Sequence, residues 1–220
     1  MKNSLKRGIW IVAITLIYIG LINSQQNVRY NSTGDSEIMV KGTSSMHDWQ
    51  AVSNNVQGYV QIEEQFLTDS SSVNIPSLIS KEQNPQVTLD VLVESLKSGK
   101  KAMDKNMYKA LQSKKYSNIH YELITADIKA GSENDPSNLI LETQGSVTIA
   151  GVSKPIAMDV QVKRLSNQIV VIGEIPLKMT DFNIDPPTAL FGTLKTGNDI
   201  TIVFKWTLAV NDEKVSSKDQ

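Results

Sequence analysis

From Glu37 onward, apolar side chains return at every second position. Ile200, Ile202, Phe204, Trp206, Leu208 and Val210 alternate with Thr201, Lys205 and Thr207. Ile156, Met158, Val160 and Val162 alternate with Asp159, Gln161 and Lys163. Ile169, Val171, Ile175 and Leu177 follow the same rule, as do Val87, Leu89, Val91 and Val93, and Val56, Val60 and Ile62. Segments 38–41, 72–79, 118–129 and 138–149 are further candidates, giving about eight or nine strands. Each would bury one face and wet the other, the pattern of antiparallel rather than parallel sheet. Asn134-Asp135-Pro136-Ser137 and Gly151-Val152-Ser153-Lys154-Pro155 supply turn chemistry between strands.

Strands with one apolar face must stack as two sheets or close into a barrel, and closure also removes exposed edges. Gly58, Gly145 and Gly173 fall inside strand patterns, where glycine marks the bends that a barrel needs. In an outer-membrane barrel the outward parity would be apolar, because a Lys at the bilayer midplane costs roughly 2–4 kcal/mol. Here one parity is charged or amide-bearing and the other is apolar, and aromatic residues make up only 6% of the chain. The expected fold is all-β: a soluble antiparallel barrel with a dry interior.

The N-terminus carries a different signal. Lys2, Lys6 and Arg7 precede an uninterrupted apolar run from Ile9 to Ile22, followed by Asn23-Ser24-Gln25-Gln26. A basic start, a short apolar run and a polar exit describe a secretory signal peptide over residues 1–24; a span across a bilayer needs roughly 20 apolar residues. The alternative is a retained anchor, since Ile22 stands where a small residue would favour cleavage. Cleavage would move the net charge from −1 to −4, giving an exported, mildly acidic protein. The remaining expected divisions are a polar lead-in over 25–36, a barrel domain over 37–211 and a polar tail over 212–220. The near-balance of charge excludes a basic polyanion binder, so no nucleic-acid partner is expected. Without a single Cys the chain has no disulfide, no thiolate chemistry and no Cys to lipidate, so no lipoprotein is expected.

One segment, about Lys100 to Ser113, has helical periodicity. Met103, Met107 and Leu111 share a stripe with Ala110 beside them, and Lys101, Lys105 and Lys109 form a second stripe nearly opposite. Between Lys97 and Lys115 seven Lys face a single acidic residue, Asp104. Two uses are open for this short amphipathic helix. It is a lid whose Lys side is merely solvated, or its Lys side meets an anionic headgroup or membrane surface.

Catalytic patterns are weak. Ser45, His47 and Asp48 are close in sequence, but 48 leaves a strand on the opposite face from 45 and 47, so no local triad forms. No Gly-x-Ser-x-Gly elbow is present. His47 and His120 are the only His, and no spacing motif suggests a metal site. His47 is expected to be held by hydrogen bonds beside Trp49, and His120 to be structural. Residues 180–192 form a Pro-containing loop in which Phe182 and Phe191 are candidates to line a barrel mouth.

Five segments in order carry a family resemblance: Gly42-Thr43-Ser44-Ser45-Met46-His47-Asp48-Trp49; Met103-Asp104-Lys105-Asn106-Met107-Tyr108-Lys109-Ala110-Leu111 with Lys115-Tyr116-Ser117-Asn118-Ile119; Gly145 to Ile156; Met179-Thr180-Asp181-Phe182-Asn183-Ile184-Asp185-Pro186-Pro187; and Gly197 to Ile202. Together they resemble the YceI-like family of exported polyisoprenoid-binding proteins. The resemblance implies a lipocalin-like barrel whose apolar interior holds a long isoprenoid or similar amphiphilic lipid, for transport, storage or sequestration in the bacterial periplasm. It implies a non-enzymatic protein without a cofactor, acting as monomer or homodimer. Candidate ligand contacts are Trp49, Met103, Met107, Tyr108, Leu111, Phe182, Phe191, Phe204 and Trp206, with His47 and Lys105 as candidate headgroup contacts. Many members carry an Arg-Asp-x-x-Leu-like motif where this chain has Met103-Asp104-Lys105-Asn106-Met107, so a headgroup contact by that Arg does not carry over. The runner-up is a barrel with a filled core that acts through a protein or membrane-surface contact of its Lys-rich helix.

Overall fold

The computed structural model describes residues 27–63, 67–69, 72–73, 84–132, 135–165, 168–189 and 192–210. Its strands are β1 (Asn27–Ser32), β2 (Glu37–Ser44), β3 (Trp49–Ser53), β4 (Val56–Glu63), β5 (Leu67–Asp69), β6 (Ser72–Val73), β7 (Gln86–Leu92), β8 (Asn118–Ser132), β9 (Asp135–Ile149), β10 (Val152–Leu165), β11 (Gln168–Lys178), β12 (Thr188–Ala189) and β13 (Leu194–Val210). Among the described residues one α-helix, α1 (Lys101–Ala110), lies between β7 and β8. No described helix is long and apolar enough to cross a membrane.

The main sheet runs β1-β4-β7-β8-β9-β10-β11-β13, every contact antiparallel, and β1 also pairs with β13. The ring is therefore a closed barrel of eight staves, each following its neighbour along the chain. Two staves are broken in half. β1 lies against Leu208–Val210, and β2 continues along the same β13 from Lys205 to Thr196. The break at 33–36 is pinned to β13: Thr33 N donates to Thr207 O (2.8 Å), and Ser36 Oγ accepts from Thr207 N (3.1 Å). Opposite it, β3 pairs with β2 and β4 with β1, with the corresponding break at 54–55.

The polar lead-in expected over 25–36 thus needs correction. Asn27–Ser32 is a stave of the barrel, with Tyr30 almost fully buried. β3 also lay outside the expected strands. The remaining candidates coincide with strands, although of 72–79 only Ser72–Val73 falls among the described residues. The signal segment 1–24 and the tail 212–220 lie outside them.

The alternation turns Ile38, Val56, Ile62, Val91, Leu141, Val160, Val162, Ile169, Trp206 and Leu208 inward as one core cluster. Burying each such side chain stabilises the fold by about 1.5–3 kcal/mol. Curvature comes from register breaks in the β8–β9 pair, between Leu123 and Thr125 and between Ile128 and Ala130. Glycine inside a strand makes room for a neighbouring ring: a Cβ on Gly145 would lie 2.5 Å from the Tyr121 ring, and one on Gly173 2.6 Å from that of Phe204. Gly173 and Phe204 are directly paired across β11 and β13, so the ring covers the bare backbone.

Candidate functional site

The lumen holds two connected apolar spaces. The inner chamber, about 180 Å³, is lined by Val60, Leu89, Met158, Val171, Phe204 and Trp206 among others. Its polar atoms are matched within the protein. Trp206 Nε1 donates to Ser32 Oγ (2.7 Å), and Thr143 Oγ1 donates to Met158 O (2.8 Å). Burial pushes the Tyr121 phenol above its ordinary value, partly offset by its hydrogen bond to Thr143. Among the described lining residues a chain entering this space meets no unsatisfied donor, so apolar surface is what is rewarded there.

The mouth chamber, about 380 Å³, lies between the loop after β2, the inner face of α1 and the segment 179–188. Val40, Leu96, Ile119 and Ile202 line both spaces and form the neck between them. Trp49 packs over Gly42, which leaves no room for a Cβ, and its Nε1 donates to Thr43 O (2.9 Å). On the far side, Met179–Phe182 make one turn of 3-10 helix that buries Met179 and Phe182. Asn183 then adopts a left-handed φ of 56° and turns the chain so that Ile184 is buried in the same cluster.

Helix α1 separates its chemistry by face. Met103, Met107 and Ala110 face the mouth, with Lys100 and Asn106 at its edge. Asp104 and Tyr108, four residues apart, face the segment 93–98 and moor the helix to it. Asp104 accepts from Ser98 N (2.8 Å) and Ser98 Oγ (2.6 Å). Burial opposes its charge, but these bonds and the Lys97 ammonium outweigh it and hold the carboxyl below its usual range. The Tyr108 hydroxyl donates to Leu96 O (2.6 Å) and accepts from Lys97 Nζ (2.7 Å). After the helix, Lys114 Nζ and Ser113 Oγ both donate to Glu94 (2.9 Å each), and these bonds lower the Glu94 pKa.

Of the residues singled out in sequence, Trp49, Met103, Met107, Leu111, Phe182 and His47 line the mouth chamber, and Phe204 and Trp206 line the inner one. Two placements need correction. Tyr108 belongs to the mooring and not to the cavity, because it shares a helix face with Asp104. Lys105 lies on the outer face with Lys101 and Lys109, so it borders an open surface groove and not the mouth. Phe191 lies outside the described residues. Among the described residues the Lys that lines the mouth is Lys100, missed because it precedes the helical stripe. Met46, Asn106, Met179 and Ile184 were also missed, as was the Tyr121–Thr143 pair.

Ser45 and His47 do not form a nucleophile–base pair. Ser45 Oγ accepts from Lys195 N (3.1 Å), while His47 Nδ1 lies 2.7 Å from the Asp48 carbonyl, to which it donates. That bond leaves Nε2 for a ligand. His120, on the β7–β8 surface, is bracketed by Asp90 (2.9 Å) and Glu122 (3.3 Å).

A domain model described as YceI-like matches residues 31–208, from the first stave to the last. The chain belongs to the YceI-like family. Among solved structures, a polyisoprenoid binding domain from Saccharophagus degradans, implicated in plant cell wall breakdown, superposes with a TM-score of 0.62 at 12% identity, over 84% of this chain and 100% of that one. BcnA of Burkholderia cenocepacia gives 0.60 at 13% identity, over 80% and 98%. A Campylobacter jejuni YCEI protein mutant gives 0.50 at 16%, over 71% and 81%. At such identities the likeness concerns the fold. No curated protein matches the chain in sequence. In this YceI-like barrel, position 103 at the mouth holds the apolar Met103 and not the Arg that the family motif led one to expect, and Asp104 serves as a structural moor.

Proposed function

We propose that this YceI-like protein is an exported binding protein that holds a long-chain isoprenoid or similar amphiphilic lipid in its barrel. The observation that carries the reading is the two-part lumen: an inner chamber with its polar atoms internally paired, joined by a neck to a mouth where Ser44, His47, Lys100 and Asn106 gather. Such a shape takes an amphiphile tail first. Apolar burial gains about 25 cal/mol per Å², so the tail supplies most of the affinity and the mouth selects among headgroups. Lys100 and the His47 ring suit a carbonyl or anionic headgroup. The polyisoprenoid-binding description of the Saccharophagus degradans domain supports the same ligand class. Periplasmic location, and a role in transport, storage or sequestration without catalysis, complete the proposal; the basic, then apolar, leader supports the location.

Native mass spectrometry of the purified protein, followed by organic extraction, tests this reading. The expected result is one isoprenoid-like lipid per chain, released by solvent and restored on incubation with a prenyl lipid. A protein that carries no lipid from its host, and takes up none when offered, would overturn it.

A further inference from the structure

The outer face of α1 carries Lys101, Lys105 and Lys109, all exposed, with Lys114 and Lys115 following on the same side. The two carboxylates within reach are already committed. Asp104 is held by Ser98, and Glu94 by Lys114 and Ser113. Lys129 pairs with Asp159 and Lys178 with Asp199, whereas Lys101, Lys105 and Lys109 enter no ion pair among the described residues. A chain of net charge −1 thus gathers uncompensated positive charge on one face of one helix. At the rim of the adjoining mouth stands Met46, 68% exposed on the tip of the loop after β2. Met46 and α1 border the same mouth, and an apolar tip and a basic helix face at one opening suit a bilayer surface: the tip enters the acyl boundary while ammonium groups meet lipid phosphates. Lys side chains can lay their stems along the surface and keep their charge in water.

We propose that the outer face of α1, with Met46, docks the protein onto an anionic lipid bilayer and presents the cavity mouth to it. The occupant is a lipid surface and not an acidic protein, because the charge is strung along about 12 Å of helix and that helix, with the apolar tip Met46, borders the opening through which an amphiphile would pass. The inference stands on the charge and exposure of this face, and does not require the lumen to be loaded.

Co-sedimentation with vesicles tests it, using phosphatidylcholine alone and phosphatidylcholine containing phosphatidylglycerol. The full protein is expected to bind only the anionic vesicles and to be released by salt as screening shortens. Lys101→Glu, Lys105→Glu and Lys109→Glu together should weaken binding about a hundredfold, from roughly fivefold for each Lys removed from the surface. Met46→Ser should weaken it about tenfold. Both variants change exposed residues, and native mass spectrometry should find the lipid content of the triple Lys variant, which lies outside the cavity, unchanged. Equal binding to neutral vesicles, or anionic binding that survives the triple reversal, would overturn the docking surface. So would a wild-type protein that binds neither vesicle, which would leave the basic face to an acidic protein. A protein that docks normally yet never carries lipid would confirm the docking and strike only the carrier reading.

Discussion

The inner chamber and the mouth chamber are both apolar, yet they are built by opposite means. The inner one is walled by regular strands whose backbone groups are spent on the ladder, and its hydroxyl and indole groups are paired inside the wall. The mouth is assembled from a loop, one face of a helix and a 3-10 turn, and is moored by side-chain bonds from Asp104, Tyr108 and Glu94. The wall cannot be altered without disturbing the fold, whereas the mouth can vary its lining at little cost. Stability should therefore depend on the inner chamber, and selectivity on the mouth.

The largest test of that division is Trp206→Ala. Trp206 is almost fully buried in the inner cluster, and losing it should cost about 3–5 kcal/mol, read as a lower denaturation midpoint in urea. Retained stability would mean that the inner wall is not the core. Next comes the neck, where Ile202 lines both chambers. Ile202→Trp should cost about 1–3 kcal/mol through overpacking and abolish uptake of a prenyl alcohol in native mass spectra. Uptake that persists through a plugged neck would show that the mouth alone holds the ligand.

Replacing Met103 and Met107 by Ser acts on the mouth only. Both side chains are half-buried, so stability should fall by about 1 kcal/mol, with uptake reduced about tenfold. A thermal midpoint lowered as far as by Trp206→Ala would erase the distinction between the two regions.

The smallest effect lies outside both chambers. Partial burial disfavours the His120 cation, but the hydrogen bonds it donates to Asp90 and Glu122 outweigh it and hold its pKa above the ordinary value of 6.5. Its stabilisation is therefore fully present below about 6.5, the unfolded value. It is lost as pH rises through the raised folded value. Solvent screening at this half-exposed site limits it to a few tenths of a kcal/mol. Urea titrations of His120→Asn should lack that slope, and an unchanged pH profile would assign the slope to another group.

The same contrast decides what could be read from sequence. Long staves such as β10, β11 and β13 announce themselves because four to six inward side chains repeat the period. The broken staves do not: β1 offers Val28 and Tyr30 amid polar residues, too few to establish a period, and β3 offers little more. In α1 the four-residue spacing sets Met103 and Met107 on the face that lines the mouth, and the same spacing pairs Tyr108 with Asp104, away from the cavity. Assigning Lys105 to a headgroup conflicted with its own stripe beside Lys101 and Lys109. Met46, Met179 and Ile184 reach the mouth through turns, where no period exists to reveal them. Lys100 reaches it from the residue before the helix begins.

The closing seam has a kinetic consequence. Along the eight-stave ring, successive staves pair with their neighbours in the chain, but β1 and β13 must bring its two ends together. The Ser32–Trp206 hydrogen bond alone spans 174 positions. Closure entropy makes such a contact slow to form relative to hairpins. Until it forms, the lumen is an open trough along a curved sheet. A molecule that fits only the completed ring binds the closed state alone, so by mass action it holds the seam shut. Cargo and the final folding step are then coupled: the occupant of the barrel serves as its clasp.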